Sequence, residues 1–303
     1  MNQVRFGIIG VGVQGSYYAG FLTGNSQIAA VKQPEQALLG ALCDIDPAKL
    51  AACREKYPDI PVFTDYRALI DSGLVDAVIT TVPHYLHPEI AIYALGHGVH
   101  ALVEKPAGVY AKQVREMNEF AAAHPELTFG IMFNQRTNLL YQKIREIIRS
   151  GELGKIRRSN WIINTWWRSD SYYRQSAWRA TWGAEGGGVL VNQAPHQLDL
   201  WQWICGVPVK VWAKVQFGSH RDIVVENDVT AVVDYGNGAT GVLVTCTHDI
   251  LGTDRLEINL DRGKIIVEQS DKATIYRFKK SEDEINAGAG SAEIDALISG
   301  RGS

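Results

Sequence analysis

The sequence predicts an α/β protein with a doubly wound parallel sheet over residues 1–132 and a C-terminal α+β domain over 133–303. Strand and helix patterns alternate through the first ~130 residues, which is typical of a parallel sheet with helices on both faces. A glycine-rich turn follows the first strand pattern. Strand-like stretches separated by turn signals dominate from residue 156 onward, so we expect a largely antiparallel open sheet there.

Apolar runs and helical patterns define the elements of the first part. Asp46 is positioned to cap a helix that has Pro47 in its first turn. The expected strands are Val4–Ile9, Leu38–Cys43, Ala77–Thr81, Val99–Val103 and Leu127–Phe133, and the expected helices are Val13–Leu22, Pro47–Tyr57, Pro88–Gly98 and Ala111–Ala123.

The second part begins with a helix over Leu139–Ser150 that ends at Gly151. A second helix, over about 189–204, is expected to pack on one face of the sheet. The Gly236–Gly238 turn and the Asp261–Gly263 turn suit hairpins that need positive φ. The expected strands cover 156–166, 208–217, 229–235, 239–247, 254–260, 263–269 and 273–278.

Composition excludes several classes of protein. A net charge of −3 argues against a basic nucleic-acid surface. The apolar runs are too short to span a bilayer, and the N-terminus does not resemble a signal peptide, so we expect a cytoplasmic protein without a membrane partner. The four cysteines contain no CxxC pair, and no metal site is predicted.

Gly10-Val11-Gly12-Val13-Gln14-Gly15 follows a strand and opens a helix, as in a Rossmann dinucleotide site. The first glycine permits a tight turn, the second admits a pyrophosphate, and the third allows close packing of helix on strand. Backbone N–H groups at the helix start favour the phosphate charge. We therefore expect Gly10, Gly12, Val13, Gln14 and Gly15 to bind a cofactor; the alternative is a glycine-rich turn without a ligand.

Asp44 ends the second strand, where a carboxylate accepts both ribose hydroxyls of NAD and repels the 2′-phosphate of NADP. NAD is therefore the expected cofactor. Asp44 lies 29 residues after Gly15, and the polar stretch Gly24–Gln36 is expected to form a loop that absorbs the extra length. The alternative is a helix cap shared with Asp46.

Glu104-Lys105-Pro106 follows directly on the strand that ends at Val103. Ligands gather at the carboxyl ends of strands in open α/β sheets, so Lys105 is suited to contact nicotinamide and substrate. An ordinary surface lysine is the alternative from position alone.

These pieces together resemble the glucose–fructose oxidoreductase, inositol dehydrogenase and rhizopine-catabolism (Gfo/Idh/MocA) family. The ordered set spans residues 6 to 206 and includes the glycine loop, 81–87, 104–106, 134–136, 151–156, 186–190, His196 and Asp199. The resemblance implies that Lys105 is catalytic and that the Lys105–Pro106 peptide is cis. It also implies that cofactor contacts come from Pro83, His84, His87, Glu104, Lys105 and Arg136.

The family motif Asp-x-x-x-His-x-x-Asp is similar to Asn192–Asp199 here, with Asn192 in place of the first carboxylate. On a helix, Asn192, His196 and Asp199 would share a face. The resemblance implies that His196 is catalytic and that Asn192 and Asp199 bind substrate; a buried structural histidine is the alternative. Histidine accepts a proton near neutral pH and lysine stabilises negative charge on oxygen, so either Lys105 or His196 is the base.

Aromatic and arginine residues are concentrated between residues 166 and 182. Aromatic faces and polar groups suit the apolar faces and hydroxyl edges of a sugar, so Arg168, Tyr172, Tyr173 and Arg179 are expected to bind substrate. The alternative for the tryptophans is core or subunit contact. The two arginines also suit a substrate carboxylate or phosphate.

We therefore expect an NAD-dependent dehydrogenase acting on a secondary alcohol of a sugar, sugar derivative or cyclitol. A redox-neutral NAD-dependent glycosidase and a catalytically silent nucleotide-binding regulator are the alternatives. The resemblance implies a homodimer or homotetramer. The resemblance implies a returning helix after the last strand, so we expect the ending around 294–303 to be shortened or to lack a segment.

Overall fold

The computed structural model describes residues 3–25, 32–288 and 290. The chain divides into two compact units. The N-terminal unit contains Met1–Phe133 together with Thr181–Gly186, and the C-terminal unit contains Asn134–Ala180 and Gly187–Ser303. The second half of the chain therefore contributes a six-residue segment to the N-terminal unit.

The N-terminal unit has the strands β1 (Val4–Ile9), β2 (Ala37–Cys43), β3 (Val62–Phe63), β4 (Ala77–Thr80), β5 (His100–Val103) and β6 (Phe129–Ile131), and the helices α1 (Val13–Leu22), α2 (Pro47–Lys56), α3 (Tyr66–Asp71), α4 (His87–Gly96) and α5 (Ala111–Ala122). The strands form a six-stranded parallel sheet in the order β3-β2-β1-β4-β5-β6. Helices α1 and α2 contribute to one apolar core and helices α3, α4 and α5 to another.

The elements of the C-terminal unit are α6 (Leu139–Ser150), β7 (Ile156–Ile163), α7 (Asp170–Arg174), α8 (Pro195–Cys205), β8 (Lys210–Phe217), β9 (Glu226–Asp234), β10 (Thr240–Cys246), β11 (Asp254–Leu260), β12 (Gly263–Glu268), β13 (Lys272–Arg277) and α9 (Glu282–Gly288). The strands form a seven-stranded sheet in the order β13-β12-β11-β7-β10-β9-β8. Helices α6 and α8 contribute to the apolar core of this unit.

The expected fold class is confirmed, and three local expectations are corrected. Strands β7 and β10 pair in parallel, whereas the neighbouring pairs are antiparallel. Helix α8 begins at Pro195 instead of about residue 189, because residues 188–194 form turns. Gly236 and Gly238 have positive φ as expected, but Gly263 does not; a Cβ there would lie 2.3 Å from the carbonyl oxygen of Tyr276.

Helix boundaries follow local capping. Asp46 accepts a hydrogen bond from the Ala48 N–H at the start of α2, as predicted, and Gly151 ends α6 with a φ of 72°. Within the described residues, no helix combines the length and apolar composition needed to cross a membrane. The loop expected at Gly24–Gln36 and the chain end at 294–303 fall wholly or partly outside the described residues.

Candidate active site

The glycine loop joins β1 to α1, and two of its glycines are required by close backbone contacts. Gly10 has a φ of +93°, and a Cβ on it would lie 2.6 Å from the Thr81 carbonyl oxygen. A Cβ on Gly15 would lie 2.0 Å from the Gly10 carbonyl oxygen. A Cβ on Gly12 would meet nothing within 4 Å, so the middle of the loop is open on its outer side. This is the arrangement that lets a phosphate approach the backbone at the start of α1.

Val13 and Gln14 follow the loop as the first residues of α1, and both are exposed. Thr81 fastens the loop from the end of β4, since its hydroxyl donates to the Gly10 carbonyl oxygen. Thr81 opens the 81–87 segment of the family resemblance, but this contact with the glycine loop was not predicted. Its contact is non-local, and a threonine after a strand is otherwise unremarkable in sequence.

Asp44 is buried at the end of β2, and its carboxylate connects three segments. Oδ2 accepts a hydrogen bond from the Val11 N–H at 2.7 Å, and Oδ1 accepts one from the Asp46 N–H at 2.9 Å. The Lys49 ammonium lies 3.3 Å from Oδ2. The cap of α2 is Asp46, so the structure gives Asp44 a separate position beside the glycine loop. A buried carboxylate against an open glycine turn fits the adenosine ribose of NAD.

The Glu104–Pro106 turn lies at the end of β5, and its Lys105–Pro106 peptide is cis, as the resemblance implied. The Glu104 carboxylate accepts hydrogen bonds from the Tyr18 hydroxyl and from the Lys105 N–H, the latter at 2.9 Å. Burial and the nearby Glu104 charge raise the pKa of Tyr18, which keeps that hydroxyl protonated as a donor. Tyr18 on α1 therefore orients the turn that carries Lys105, a role with no signal in the sequence.

His87 joins this turn to the preceding one, which begins at Pro83. Its Nδ1 lies 2.7 Å from the Pro106 carbonyl oxygen and its Nε2 lies 2.9 Å from the Val82 carbonyl oxygen. Both ring nitrogens thus face backbone groups of the protein. The His87 side chain therefore supports the two turns, and its cofactor contact stays a prediction.

His84 is buried and connects to the segment contributed by the second half of the chain. Its Nδ1 lies 2.7 Å from the Glu185 carbonyl oxygen. Burial lowers the pKa of His84 to about 4, so the imidazole is neutral at physiological pH. Residue 186 must also be a glycine, because a Cβ there would lie 2.5 Å from the Val109 side chain. Segment 181–186 is thereby fitted to the N-terminal unit.

Glu226, at the start of β9, holds the glycine segment that precedes His196. Its buried carboxylate accepts from the Gly188 N–H at 2.8 Å to each oxygen and from the Leu190 N–H at 3.1 Å. Its carbonyl oxygen accepts from the Val189 N–H at 2.9 Å. A Cβ on Gly188 would lie 1.9 Å from that carbonyl oxygen. One acidic residue therefore fixes three consecutive backbone positions, 188–190.

Replacing Glu226 with glutamine should destabilise the C-terminal unit by roughly 1 to 3 kcal/mol, because an amide N–H would then face the Gly188 N–H in a buried place. Chemical denaturation monitored by tryptophan fluorescence measures this. Glu146→Gln is the matched control, since Glu146 is exposed and pairs with Lys143 on the same helix; its effect should stay within about 0.5 kcal/mol. Equal stability of the two variants would contradict the role of Glu226.

His196 is the second residue of α8 and is half-buried. Asn192 lies before the helix, where its N–H donates to the Gly188 carbonyl oxygen at 2.9 Å. The expectation that residues 192, 196 and 199 share one helical face is therefore wrong for Asn192. Pro195 explains the difference, because a proline lacks the N–H of an interior helical residue and favours the first position.

Asp199 lies on α8 and binds Arg136 of the 134–137 turn. The Arg136 Nε and Nη2 atoms donate to its two carboxylate oxygens at 2.7 and 2.5 Å. These hydrogen bonds raise the pKa of Arg136. A two-pronged pair of this kind has fixed geometry, so it holds the start of the C-terminal unit against α8. The substrate contact of Asp199 and the cofactor contact of Arg136 stay predictions beside this pairing.

The four residues expected to bind a sugar lie in and around α7, and the structure brings them together. The Tyr172 hydroxyl accepts from Arg179 Nη1 at 2.6 Å. The Tyr172 and Tyr173 rings contact edge to face with centroids 5.2 Å apart. The Tyr173 hydroxyl donates to the Thr247 hydroxyl at 2.9 Å. Arg168 lies with its guanidinium carbon 5.0 Å from the centre of the Tyr172 ring.

One group of potential metal ligands occurs within the described ranges, although none was expected. Cys246, His248 and Asp249 place ligand atoms within 4.8 Å of one another. Asp249 also accepts from the Asn164 amide at 2.5 Å, and His248 Nε2 lies 3.3 Å from Asp228. Because Asp249 and His248 already have protein partners, we assign no metal to this group.

Comparison with known proteins identifies relatives over most of the chain. The chain is 26% identical over 290 residues to a Myo-inositol 2-dehydrogenase of Thermotoga maritima, covering 92% of this chain and 80% of that protein. It is 28% identical over 210 residues to a D-glucoside 3-dehydrogenase of Escherichia coli, covering 68% of this chain but only 55% of that protein. The crystal structure of the WlbA dehydrogenase of Chromobacterium violaceum, in complex with NADH and UDP-GlcNAcA, superposes with a TM-score of 0.81 at 26% identity, covering 98% of this chain and 86% of that chain.

Two family models match consecutive parts of the sequence. The model described as an oxidoreductase family with an NAD-binding Rossmann fold matches residues 4–130. The model described as the GFO/IDH/MocA C-terminal domain matches residues 141–266. The glycine loop, Asp44 and the Glu-Lys-Pro turn lie in the first match, and His196 lies in the second. The chain therefore belongs to the Gfo/Idh/MocA family of oxidoreductases, with NAD as its cofactor.

Proposed function

We propose that this protein is a dehydrogenase that transfers a hydride between NAD and a secondary alcohol carbon of a sugar, sugar derivative or cyclitol. The observation that carries the proposal is the buried Asp44 carboxylate bonded to the Val11 N–H of an open glycine turn. The named activities of the inositol and glucoside dehydrogenases, which are relatives of this chain, support the substrate class.

The cofactor would be held by the N-terminal unit. Gly10, Gly12 and Gly15 offer a backbone that a pyrophosphate can approach, and Asp44 offers its carboxylate to the ribose. NAD supplies the hydride acceptor or donor when it is bound. The Pro83 and Glu104 turns, which His87 supports, would line the nicotinamide end.

Two side chains are assigned to the proton chemistry. Lys105 carries an ammonium group that stabilises negative charge on the reacting oxygen. His196 carries an imidazole that accepts the hydroxyl proton near neutral pH. Asn192 orients a substrate hydroxyl but takes no proton, since an amide is not a base. Either Lys105 or His196 serves as the base.

Asp44→Asn should lower the ratio of kcat/KM for NAD to that for NADP by about tenfold or more, because the charge that repels a 2′-phosphate is removed. The amide oxygen can still accept from the Val11 N–H, so the loop should persist. Steady-state kinetics with both cofactors measure the ratio. Asp46→Asn is the matched control, because asparagine also caps helices and lies only two positions away. A wild-type protein active only with NADP would contradict this role for Asp44.

A panel of pyranoses, inositols and glycosides tests the reaction class. A dehydrogenase gives NADH absorbance in proportion to oxidised substrate. Release of an aglycone without net NADH would instead indicate the redox-neutral glycosidase. NADH binding with neither product across the panel would indicate a regulator.

We also propose a cytoplasmic homodimer or homotetramer without a nucleic-acid or membrane partner. Exposed apolar side chains on the strands of the C-terminal sheet support self-association, including Ile162, Val211, Trp212, Val232 and Tyr276. Light scattering coupled to size exclusion should give two or four times the chain mass of 33.5 kDa. A monomeric mass at micromolar concentration would contradict the proposed assembly.

A further inference from the structure

Two arginine side chains converge on one tyrosine ring in the C-terminal unit. The guanidinium carbon of Arg179 lies 4.5 Å from the centre of the Tyr172 ring, and that of Arg168 lies 5.0 Å from it. Arg179 also donates to the Tyr172 hydroxyl at 2.6 Å. Both arginines are half-buried, and the Nε atom of each is buried without a hydrogen-bond acceptor in the part of the chain that the structure describes.

Neither Arg168 nor Arg179 forms an ion pair with a carboxylate of the described residues. Among residues 3–25, 32–288 and 290, no carboxylate lies within 4.0 Å of Arg168 or Arg179, whereas Arg136 and Arg157 each have one. A third arginine, Arg221, adds positive charge, since its Nε donates to the Arg168 carbonyl oxygen at 2.6 Å. Partly buried cations are normally paired, because removing a charge from water without a counter-charge is unfavourable. Two such groups aimed at one place indicate a binding site for an anion.

The arginine pair is tied to the segment that leads to His196. The Arg168 N–H donates to the Thr247 carbonyl oxygen at 2.8 Å, and the Thr247 N–H donates to the Asn227 carbonyl oxygen at 3.0 Å. Asn227 directly follows Glu226, which holds Gly188 and Leu190. Arg168 is therefore connected to Glu226, which holds the 188–190 segment, through two backbone hydrogen bonds and one peptide bond.

We infer that Arg168 and Arg179 bind an anionic group of the substrate, so that the preferred substrate is an acidic sugar or cyclitol derivative. This inference rests on the proposed dehydrogenase function. A guanidinium fork matches both a carboxylate and a phosphate, and both forks lie within 5.0 Å of the centre of the Tyr172 ring. In both cases the ligand is a polyol that carries an oxyanion, which is planar in a carboxylate and tetrahedral in a phosphate.

Isothermal titration calorimetry of the full chain with D-glucuronate, D-glucose 6-phosphate and D-glucose, each with and without NADH, tests the inference. At least one of the two anions should bind about tenfold or more tightly than glucose. Whichever anion binds more tightly identifies the source, carboxylate or phosphate. Raising the salt concentration should weaken binding of the anions and leave glucose unchanged.

Arg168→Gln and Arg179→Gln should each weaken binding of the preferred anion roughly 10- to 100-fold and change glucose binding less than about threefold. Arg174→Gln is the matched control, because Arg174 is exposed at the end of α7. Arg168→Lys and Arg179→Lys keep the charge without the fork and should bind the anion at intermediate strength, which also tests the site if a glutamine variant fails to fold.

Equal affinity for glucose and both anions in the wild-type protein would overturn the inference, and so would anion binding that both glutamine variants retain. NADH formation from neutral polyols in that case would leave the dehydrogenase proposal standing. Arginine-dependent anion binding without NADH formation from any polyol or sugar acid would instead support the anion site and remove the proposed reaction.

Discussion

Lys105→Met should reduce kcat about 10²- to 10⁴-fold while NADH still binds. Methionine has a similar length but no charge, so it removes stabilisation of the reacting oxygen and any proton transfer by lysine. The turn itself should persist, because Glu104 accepts from the backbone N–H of residue 105 and Tyr18 donates to Glu104. Steady-state kinetics give kcat, and fluorescence titration gives the NADH dissociation constant.

His196→Asn provides the comparison that separates the two candidate bases. The variant that has lost the base should lose the acidic limb of the pH profile of kcat, whereas the other should keep the limb at a lower rate. Lys112→Met controls for removal of a lysine, since Lys112 is exposed on α5. Wild-type kcat in both Lys105→Met and His196→Asn would refute the assigned chemistry.

Gly15→Ala should weaken NADH binding about 100-fold and lower the free energy of unfolding by roughly 1 to 3 kcal/mol. The new Cβ would lie 2.0 Å from the Gly10 carbonyl oxygen, and a backbone atom cannot move aside by changing a rotamer. Helix α1 would have to shift away from β1, and the N–H groups expected to face the pyrophosphate would shift with it. Calorimetric titration with NADH and urea denaturation measure the two effects.

Gly12→Ala separates cofactor binding from stability. Its Cβ meets no protein atom within 4 Å, so the variant should unfold at the same urea concentration as the wild type. It should nevertheless bind NADH more weakly, because the methyl group occupies the side from which the pyrophosphate approaches. Full NADH affinity in Gly12→Ala would show that the cofactor does not cross this part of the loop.

Regular elements with strong local signals were predictable from sequence. Strand β1 and helices α1 and α6 have the expected bounds. An apolar run defines β1, the glycine loop defines the start of α1, and a 3.6-residue apolar period ending at Gly151 defines α6. Short elements such as β3 and α3 carried too few residues for a period to emerge. The parallel pairing of β7 with β10 depends on contacts between residues about 80 positions apart, which local patterns do not encode.

In the candidate site, too, residues constrained by local backbone geometry were predictable and residues that act through distant contacts were not. Gly10, Gly15 and Asp44 were recognisable because backbone geometry restricts which residue types are permitted there. The roles of Tyr18, Thr81 and Glu226 were missed, since each residue acts through a hydrogen bond to a segment distant in sequence. A tyrosine in a helix or a glutamate at the start of a strand has many ordinary explanations.

Segment 181–186 has a consequence for dissecting the molecule. The polypeptide enters the N-terminal unit a second time there, so a single cut near residue 133 does not yield that unit complete. A fragment ending at that point would leave the buried His84 imidazole without the Glu185 carbonyl and uncover the surface around Val109. During synthesis on the ribosome, we therefore expect the nucleotide-binding half to finish folding only after residues 181–186 have emerged. Completion of the first half is thereby coupled to translation of the second.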